Sequence, residues 1–324
     1  MTGLRPPPTE EAPSRVLVRI LVLVVLVVAA GLTVWAAVIQ QRIELTEDTP
    51  LEDLELEPII TANGASLNVV REGEGAIPLV LLHDIDVAGS VTWDGVVSAL
   101  DQGFTVMRVD LPGFGLSERI PLEGTEHTVA SMAVQVGDVI EQTFEIPVVI
   151  AGVGLGGEVA AEIAVMSPEL VSGVVLVDVD FYKPDGWVEF VEKLPWFGTA
   201  ATFAFETAGS FSVDRWAPHC LDGGWCPTRG QAEARDLAET IVGTTDSIRA
   251  FRRTPAASLV PSKLSEITVP LHFLWSQQGE VPRESVDRVL AALPEARVDV
   301  LADAWKAHLE FPLDVAAAIA AMAP

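Results

Sequence analysis

The stretch from Pro147 to Asp180, PVVIAGVGLGGEVAAEIAVMSPELVSGVVLVDVD, constrains the fold of this chain more than any other. It opens and closes on short apolar runs in which every position is hydrophobic or glycine. Runs of that kind are expected of strands buried on both faces, not of strands with one face in water. Between them the glycines of GVGLGG force a sharp turn, and an alanine-rich helical segment follows. Strand, turn, helix and strand in about 30 residues predict a parallel βαβ unit, whose helix must cross over the sheet.

The same rhythm recurs on both sides. Ile77 to His83 (IPLVLLH) and Phe104 to Asp110 (FTVMRVD) are further buried strands. Val91 to Leu100 suits a short helix. His127 to Phe144 places Val129, Met132, Val136, Val139, Ile140 and Phe144 near one helical face. IITANG and SLNVVREG meet at Asn63-Gly64, a hairpin signal. After Pro261 come a strand in VPLHFLW, a helix over Pro282–Leu293, a strand over Arg297–Leu301 and a last helix over Phe311–Met322. The fold class is α/β: a mainly parallel, twisted sheet with helices on both faces, built from residues 58–180 and 262–324. Residues 181–261 have another texture. Trp187, Phe190, Trp196, Phe197, Phe203, Phe205, Phe211, Trp216, Trp225 and Phe251 fall there among prolines and glycines. A helical cap inserted between two strands is expected.

The amino-terminal region is separate. Ile20 to Ile39 is 20 residues without a charge, which as a helix spans about 30 Å, one hydrocarbon core. Arg5, Arg15 and Arg19 precede it, and Glu44, Glu47 and Asp48 follow. That asymmetry orients the short N-terminus (1–19, Pro-rich and expected to be disordered) to the cytoplasm and the rest outside the cell membrane. The apolar run is longer than a signal-peptide core, and no small-x-small cleavage site follows it. An uncleaved, single-pass anchor is therefore expected. Residues 40–57, acidic and containing Pro50, read as a stalk.

Beyond residue 40 the chain carries 17 basic and 44 acidic residues. Such a surface repels phosphate backbones, so nucleic acid is excluded as a partner. Cys220 and Cys226 lie in HCLDGGWC, and an extracytoplasmic location permits a disulfide between them. His219 is the nearest additional ligand and the spacing is not C-x2-C, so a metal site is not expected. No cofactor is expected either.

Several motifs, in order, resemble the α/β-hydrolase superfamily over about Ile59 to Ala323. LVLLHD resembles its strand ending in His-Gly. RVDLPGFGLSE resembles its D-x-P-G-x-G-x-S loop and is the most specific match, with Ser117 at the loop serine. GVGLGG stands where the family has its G-x-S-x-G nucleophile elbow. LHFLWSQQGEVP resembles the strand and turn presenting the acid, and ADAWKAHLEFPLDVAAAI resembles the terminal G-H-x-x-H-L-E-x-P segment. The resemblance implies a Ser–His–acid triad and an oxyanion hole made by the backbone N–H groups of Leu155 and Ile85. Residue by residue, the triad is missing. Gly154 holds the nucleophile position, Gly279 the acid position and Trp305 the histidine position. His308 matches the second, non-catalytic histidine.

A serine hydrolase needs a hydroxyl activated by an imidazole that a carboxylate orients. The expectation is a binding scaffold, catalytically inactive as a serine hydrolase. Its pocket would be formed around His83, Asp84, Gly154 and Trp305, and it would take a small hydrophobic ligand or an envelope protein. The alternative is an active, esterase-like hydrolase with a non-standard constellation drawn from Asp178, Glu280 and His308. Glu158 reads as a solvated helix residue, His83 as a hydrogen-bonded structural histidine, and Trp305 as packing that fills the site; His272, inside a strand, and His127, opening a helix, pair with no visible nucleophile. A further alternative is that Gly152, Gly154 and Gly157 form a G-x-G-x-x-G dinucleotide loop with Asp178 ending the next strand.

Overall fold

The computed structural model describes residues 15–121, 128–182, 190–191, 194, 197–206, 220, 225–253 and 260–323. Expectations placed on residues 1–14, His127, Trp187, Trp196, Phe211, Trp216 and His219 lie outside these.

A seven-stranded sheet forms the centre. In chain order its strands are β3 (Val69–Glu72), β4 (Ile77–Leu82), β5 (Phe104–Val109), β6 (Val148–Val153), β7 (Val171–Val177), β8 (Leu271–Ser276) and β9 (Arg297–Leu301). Their spatial order is β3-β5-β4-β6-β7-β8-β9. Only β3 runs antiparallel, against β5, and every other neighbouring pair is parallel. Strands β1 (Ile59–Ile60) and β2 (Ser66–Leu67) form a separate hairpin around Asn63-Gly64. The run SLNVVREG, expected as one strand, is thus split between this hairpin and the main sheet. Asn68 is the break: its N–H bonds Ser117 Oγ and its side chain bonds Asp110, instead of joining a ladder.

The apolar runs are buried as their composition requires. Val80, Leu82, Ile150 and Leu176 face one side of the sheet and pack with helices Val129–Thr143, Leu155–Met166 and Arg283–Ala292. Leu79, Leu81, Val149, Ala151, Val175 and Val177 face the other and pack with Asp94–Ala99, Ala307–Glu310 and Pro312–Ala320. Alternate residues of each strand serve opposite layers, the period-2 rule applied to a doubly covered sheet. The helix expected over Val91–Leu100 begins as a tighter 3-10 turn, Gly89–Trp93, before the α-helix Asp94–Ala99.

The register matters for function. Leu82 pairs with Gly152, Val153 with Val177 and Val177 with Leu274. The carboxyl ends of β4, β6, β7 and β8 therefore lie side by side, where open α/β sheets bind ligands.

Helices Gly198–Glu206, Arg229–Thr240, Thr244–Arg253 and Val260–Lys263 lie between β7 and β8. Cys220 and Cys226 are joined by a disulfide. The N-terminal helix runs from Arg15 to Thr46, past the expected end at Ile39. Among the described residues it is the one helix long and apolar enough to cross a membrane, and its hydrophobic side chains from Val16 to Val38 are largely exposed. Residues 40–57, expected as a stalk, do not stand free. Ile39 and Ile43 are buried against Ala200 and Phe203, and Thr49 bridges to Ile241.

Candidate active site

The elbow is built as the sequence implies. Strand β6 ends at Val153, and the helix Leu155–Met166 starts at once, with Gly154 at the tip at φ +50°. Only glycine adopts that region without strain. No hydroxyl is present there, and the space for one is taken. A Cβ on residue 154 would lie 2.1 Å from Asp84 Oδ1.

Asp84 follows His83 at the end of β4. Its Oδ1 accepts the Leu155 N–H at 3.0 Å, and the Ile85 N–H also bonds the carboxylate. These are the two donors expected to form the oxyanion hole. Both N–H groups are turned to one point, and the Asp84 side chain accepts them. Lys306 Nζ lies 3.8 Å from Asp84 Oδ2. Burial pushes the Asp84 carboxyl up. Lys306, the two backbone N–H groups and His308 outweigh that and hold it below its ordinary value. The hole is thus occupied by an anion at neutral pH, where a hydrolase needs an empty cradle for a developing one.

Opposite, Asp178 closes β7 and is the one non-glycine residue at positive φ among the described residues. Its carboxylate accepts Ser276 N at 2.6 Å, Ser276 Oγ at 2.7 Å and Ala307 N at 3.3 Å. Asp178 thereby faces the loop that should carry the catalytic histidine. Burial raises its pKa against these hydrogen bonds and Lys306. Gly279, at the expected acid position, is closely packed. It turns the chain through a hydrogen bond to Ser276 O, and a Cβ there would lie 2.8 Å from the Trp305 carbonyl. Glu280 beside it is exposed.

Each of the three described histidines has its own surroundings. His83 is fully buried; its Nε2 accepts the Leu111 N–H at 2.8 Å, so its Nδ1 carries the proton and donates to Asp84 O at 2.5 Å. Both nitrogens are committed to structure. His272 bonds Asp299 at the far edge of the sheet, on β9. His308 is buried and tilted against Trp93, with ring centroids 5.5 Å apart. Burial, then the Lys306 charge, take its pKa down to about 3 against the pull of Asp84. It is neutral at physiological pH. Trp305 stands in the histidine position, with Lys306 Nζ 5.2 Å from its ring. Glu158 lies in the first turn of the elbow helix.

Sequence reasoning placed His83, Asp84, Ile85, Gly154, Leu155 and Trp305 at one site and named Asp178, Glu280 and His308 as stand-ins. It missed Lys306 and Ser276. Ser276 ends a buried strand and looks like any strand residue. Lys306 was legible as one of four lysines, adjacent to the histidine position.

Against the dinucleotide alternative stands Asp84, whose carboxylate takes the Leu155 N–H. A Cβ at Gly152 would meet Gly156 O at 2.3 Å and one at Gly157 would meet Val179 at 2.2 Å, so these glycines serve packing. The first helical N–H is held by a carboxylate that repels a pyrophosphate.

A model of the alpha/beta hydrolase family matches residues 79–320 of this chain. Among curated proteins, the pimeloyl-[acyl-carrier protein] methyl ester esterase of Nitrosomonas europaea is 36% identical over 113 residues, 35% of this chain and 41% of that one. The esterase of the same name from Aeromonas hydrophila is 35% identical over 132 residues, 40% of this chain and 48% of its own. The chain thus spans less than half the length of these two relatives. The Nitrosospira multiformis esterase of that name is 33% identical over 225 residues, 67% of this chain and 81% of its own. Among solved structures, the epoxide hydrolase CorEH superposes with a TM-score of 0.66 at 20% identity, covering 82% of this chain and 98% of that one. A hydrolase from Pseudomonas aeruginosa gives 0.62 at 21%, covering 83% and 98%.

Proposed function

The chain belongs to the alpha/beta hydrolase family, and from that premise we propose a membrane-anchored member that binds without serine-type turnover. Its ligand is a small apolar molecule or a partner protein at the cell envelope. The short N-terminus lies in the cytoplasm and the domain outside. One observation carries this reading: the Asp84 carboxylate sits on the Leu155 N–H, in the volume of a side chain at position 154. The loss of the nucleophile and the filling of the oxyanion hole are then one change. A serine restored at 154 alone would collide with Asp84, and its oxyanion donors would already be spent.

A second reading has its own support. The named relatives are ester esterases and hydrolases, which favours an active ester hydrolase. A non-standard constellation would use Asp84, flanked by Lys306, with Asp178 held in place by Ser276.

The test is made on the full-length chain in detergent, with p-nitrophenyl butyrate and a fluorophosphonate probe. Binding without turnover predicts hydrolysis at the buffer rate and no labelled serine. It also predicts that Gly154→Ser alone stays inert, while Asp84→Gly/Gly154→Ser/Trp305→His becomes labelled at position 154. Turnover by the unaltered chain that Asp84→Asn abolishes would overturn the binding reading and establish the second.

A further inference from the structure

The anchor helix does more than hold the domain near a membrane. Its last turns form part of the cap. Ile39, fully buried, and Ile43 pack on Ala200 and Phe203 of the helix Gly198–Glu206, and Trp35 and Ala36 pack on the same cluster. Trp35 and Ile39 belong to the uncharged run Ile20–Ile39. Four residues of helix rise about 6 Å, so the cap reaches down beside the last turn of the span itself. That is the depth of the headgroup–acyl boundary, where tryptophan is enriched in membrane helices.

A polar clasp fixes this arrangement just above the apolar contact. The Glu47 carboxylate accepts Gly243 N and Thr245 N, each at 2.9 Å, and also the Thr245 hydroxyl. Thr49 N bonds Thr240 O, and Val242 N bonds Thr49 O. Two cap helices, Arg229–Thr240 and Thr244–Arg253, are therefore tied to the chain where it leaves the anchor.

Charge singles out the same part of the molecule. Residues 181–261 carry 8 basic and 10 acidic residues, whereas the core, residues 58–180 and 262–324, carries 8 basic and 27 acidic. An anionic bilayer surface repels the core strongly and the cap hardly at all. Phe190, in the cap segment, is 65% exposed.

We propose that the cap is a membrane-apposed surface, resting on the lipid–water interface beside its own anchor, with the bilayer as its partner. This rests on the membrane-anchored reading. Ligands of the site would then be amphiphiles drawn from the lipid phase.

Photocrosslinking on the full-length chain in lipid nanodiscs tests this, with p-benzoylphenylalanine placed singly at three positions. Val28 lies within the span, Phe190 in the cap, and Leu313, 71% exposed, on a core helix. Lipid adducts are expected at positions 28 and 190, with the yield at 190 at least about fivefold that at 313. Adducts at 28 without adducts at 190 would overturn the apposed cap and leave the anchor standing. Equal yields at 190 and 313 would overturn it as well. No adduct at 28 would remove the anchor and the inference with it.

Discussion

Two loops border the carboxyl edge of this sheet, and they have fared differently. The Asp110–Ser117 loop matches the family pattern at every position that carries it. The catalytic corner, formed by Asp84, Gly154 and the Trp305–His308 turn, departs from it at each reactive group. The hydrogen bonds account for the difference. Asp110 Oδ1 accepts Ser90 N at 2.7 Å, and Oδ2 accepts Leu116 N at 2.9 Å and Asn68 Nδ2 at 2.8 Å. Ser117 Oγ donates to Asp110 O at 2.6 Å and accepts Asn68 N at 2.9 Å. These residues hold the hairpin, the loop and the strand ends together. A nucleophile, by contrast, donates little to folding, because its hydroxyl must stay free. Its removal costs chemistry and no stability, and the space can then be taken by another group.

The largest effect that would break this contrast is on the retained loop. Asp110→Ala strips three donors of a nearly buried carboxylate and leaves them unpaired. At roughly 1–3 kcal/mol for each unsatisfied group, a loss of about 4 kcal/mol is expected, and the melting temperature should fall by about 10 °C. A fall under about 2 °C would mean the loop is not what the sheet edge depends on. Ser117→Ala should cost about 2 kcal/mol on the same argument, again read by thermal unfolding.

The catalytic corner predicts coupling instead of a large single loss. Gly154→Ala alone meets both a positive φ and the Asp84 oxygen at 2.1 Å, and about 2 kcal/mol of destabilisation is expected. Asp84→Gly removes the obstruction. The double variant Gly154→Ala/Asp84→Gly should therefore be more stable than the two single effects sum to, by about 1 kcal/mol in a double-mutant cycle. Strict additivity would show that the two positions changed independently.

These contrasts set how far the sequence could be read. Buried strands announce themselves through unbroken apolar runs, and the glycine elbow through its spacing, so the sheet and the place of the site were legible. Where Asp84 points was not legible. The substitution of His-Gly by His-Asp shows a carboxylate near the hole, but only the approach of β4 to the elbow, through Leu82 beside Gly152, puts its oxygen on Leu155 N. Residues 40–57 misled for a similar reason. Acidic side chains and Pro50 read as solvated, yet Glu47 is consumed by Gly243 and Thr245, partners almost 200 positions away. Local composition carries no sign of such a contact.

The smallest predicted effect separates the two carboxylates, Asp84 and Asp178, that both feel the Lys306 charge. Asp84 has a folded pKa below its ordinary value, so its contribution to stability is present above about pH 4 and is lost as pH falls through the folded value. Asp178 is raised, so the folded state binds its proton more readily than the unfolded chain. Its effect has the opposite sign: stability declines as pH rises from about 4 through the raised value. Asparagine at either site removes the titration while keeping a hydrogen-bond acceptor. Between pH 4 and 7, Asp178→Asn should gain in melting temperature relative to the parent chain, and Asp84→Asn, measured between pH 4 and 3, should lose less than the parent. If both variants track the parent's profile, neither carboxylate titrates with folding. If Asp178→Asn alone departs, only the Asp178 carboxyl titrates with folding.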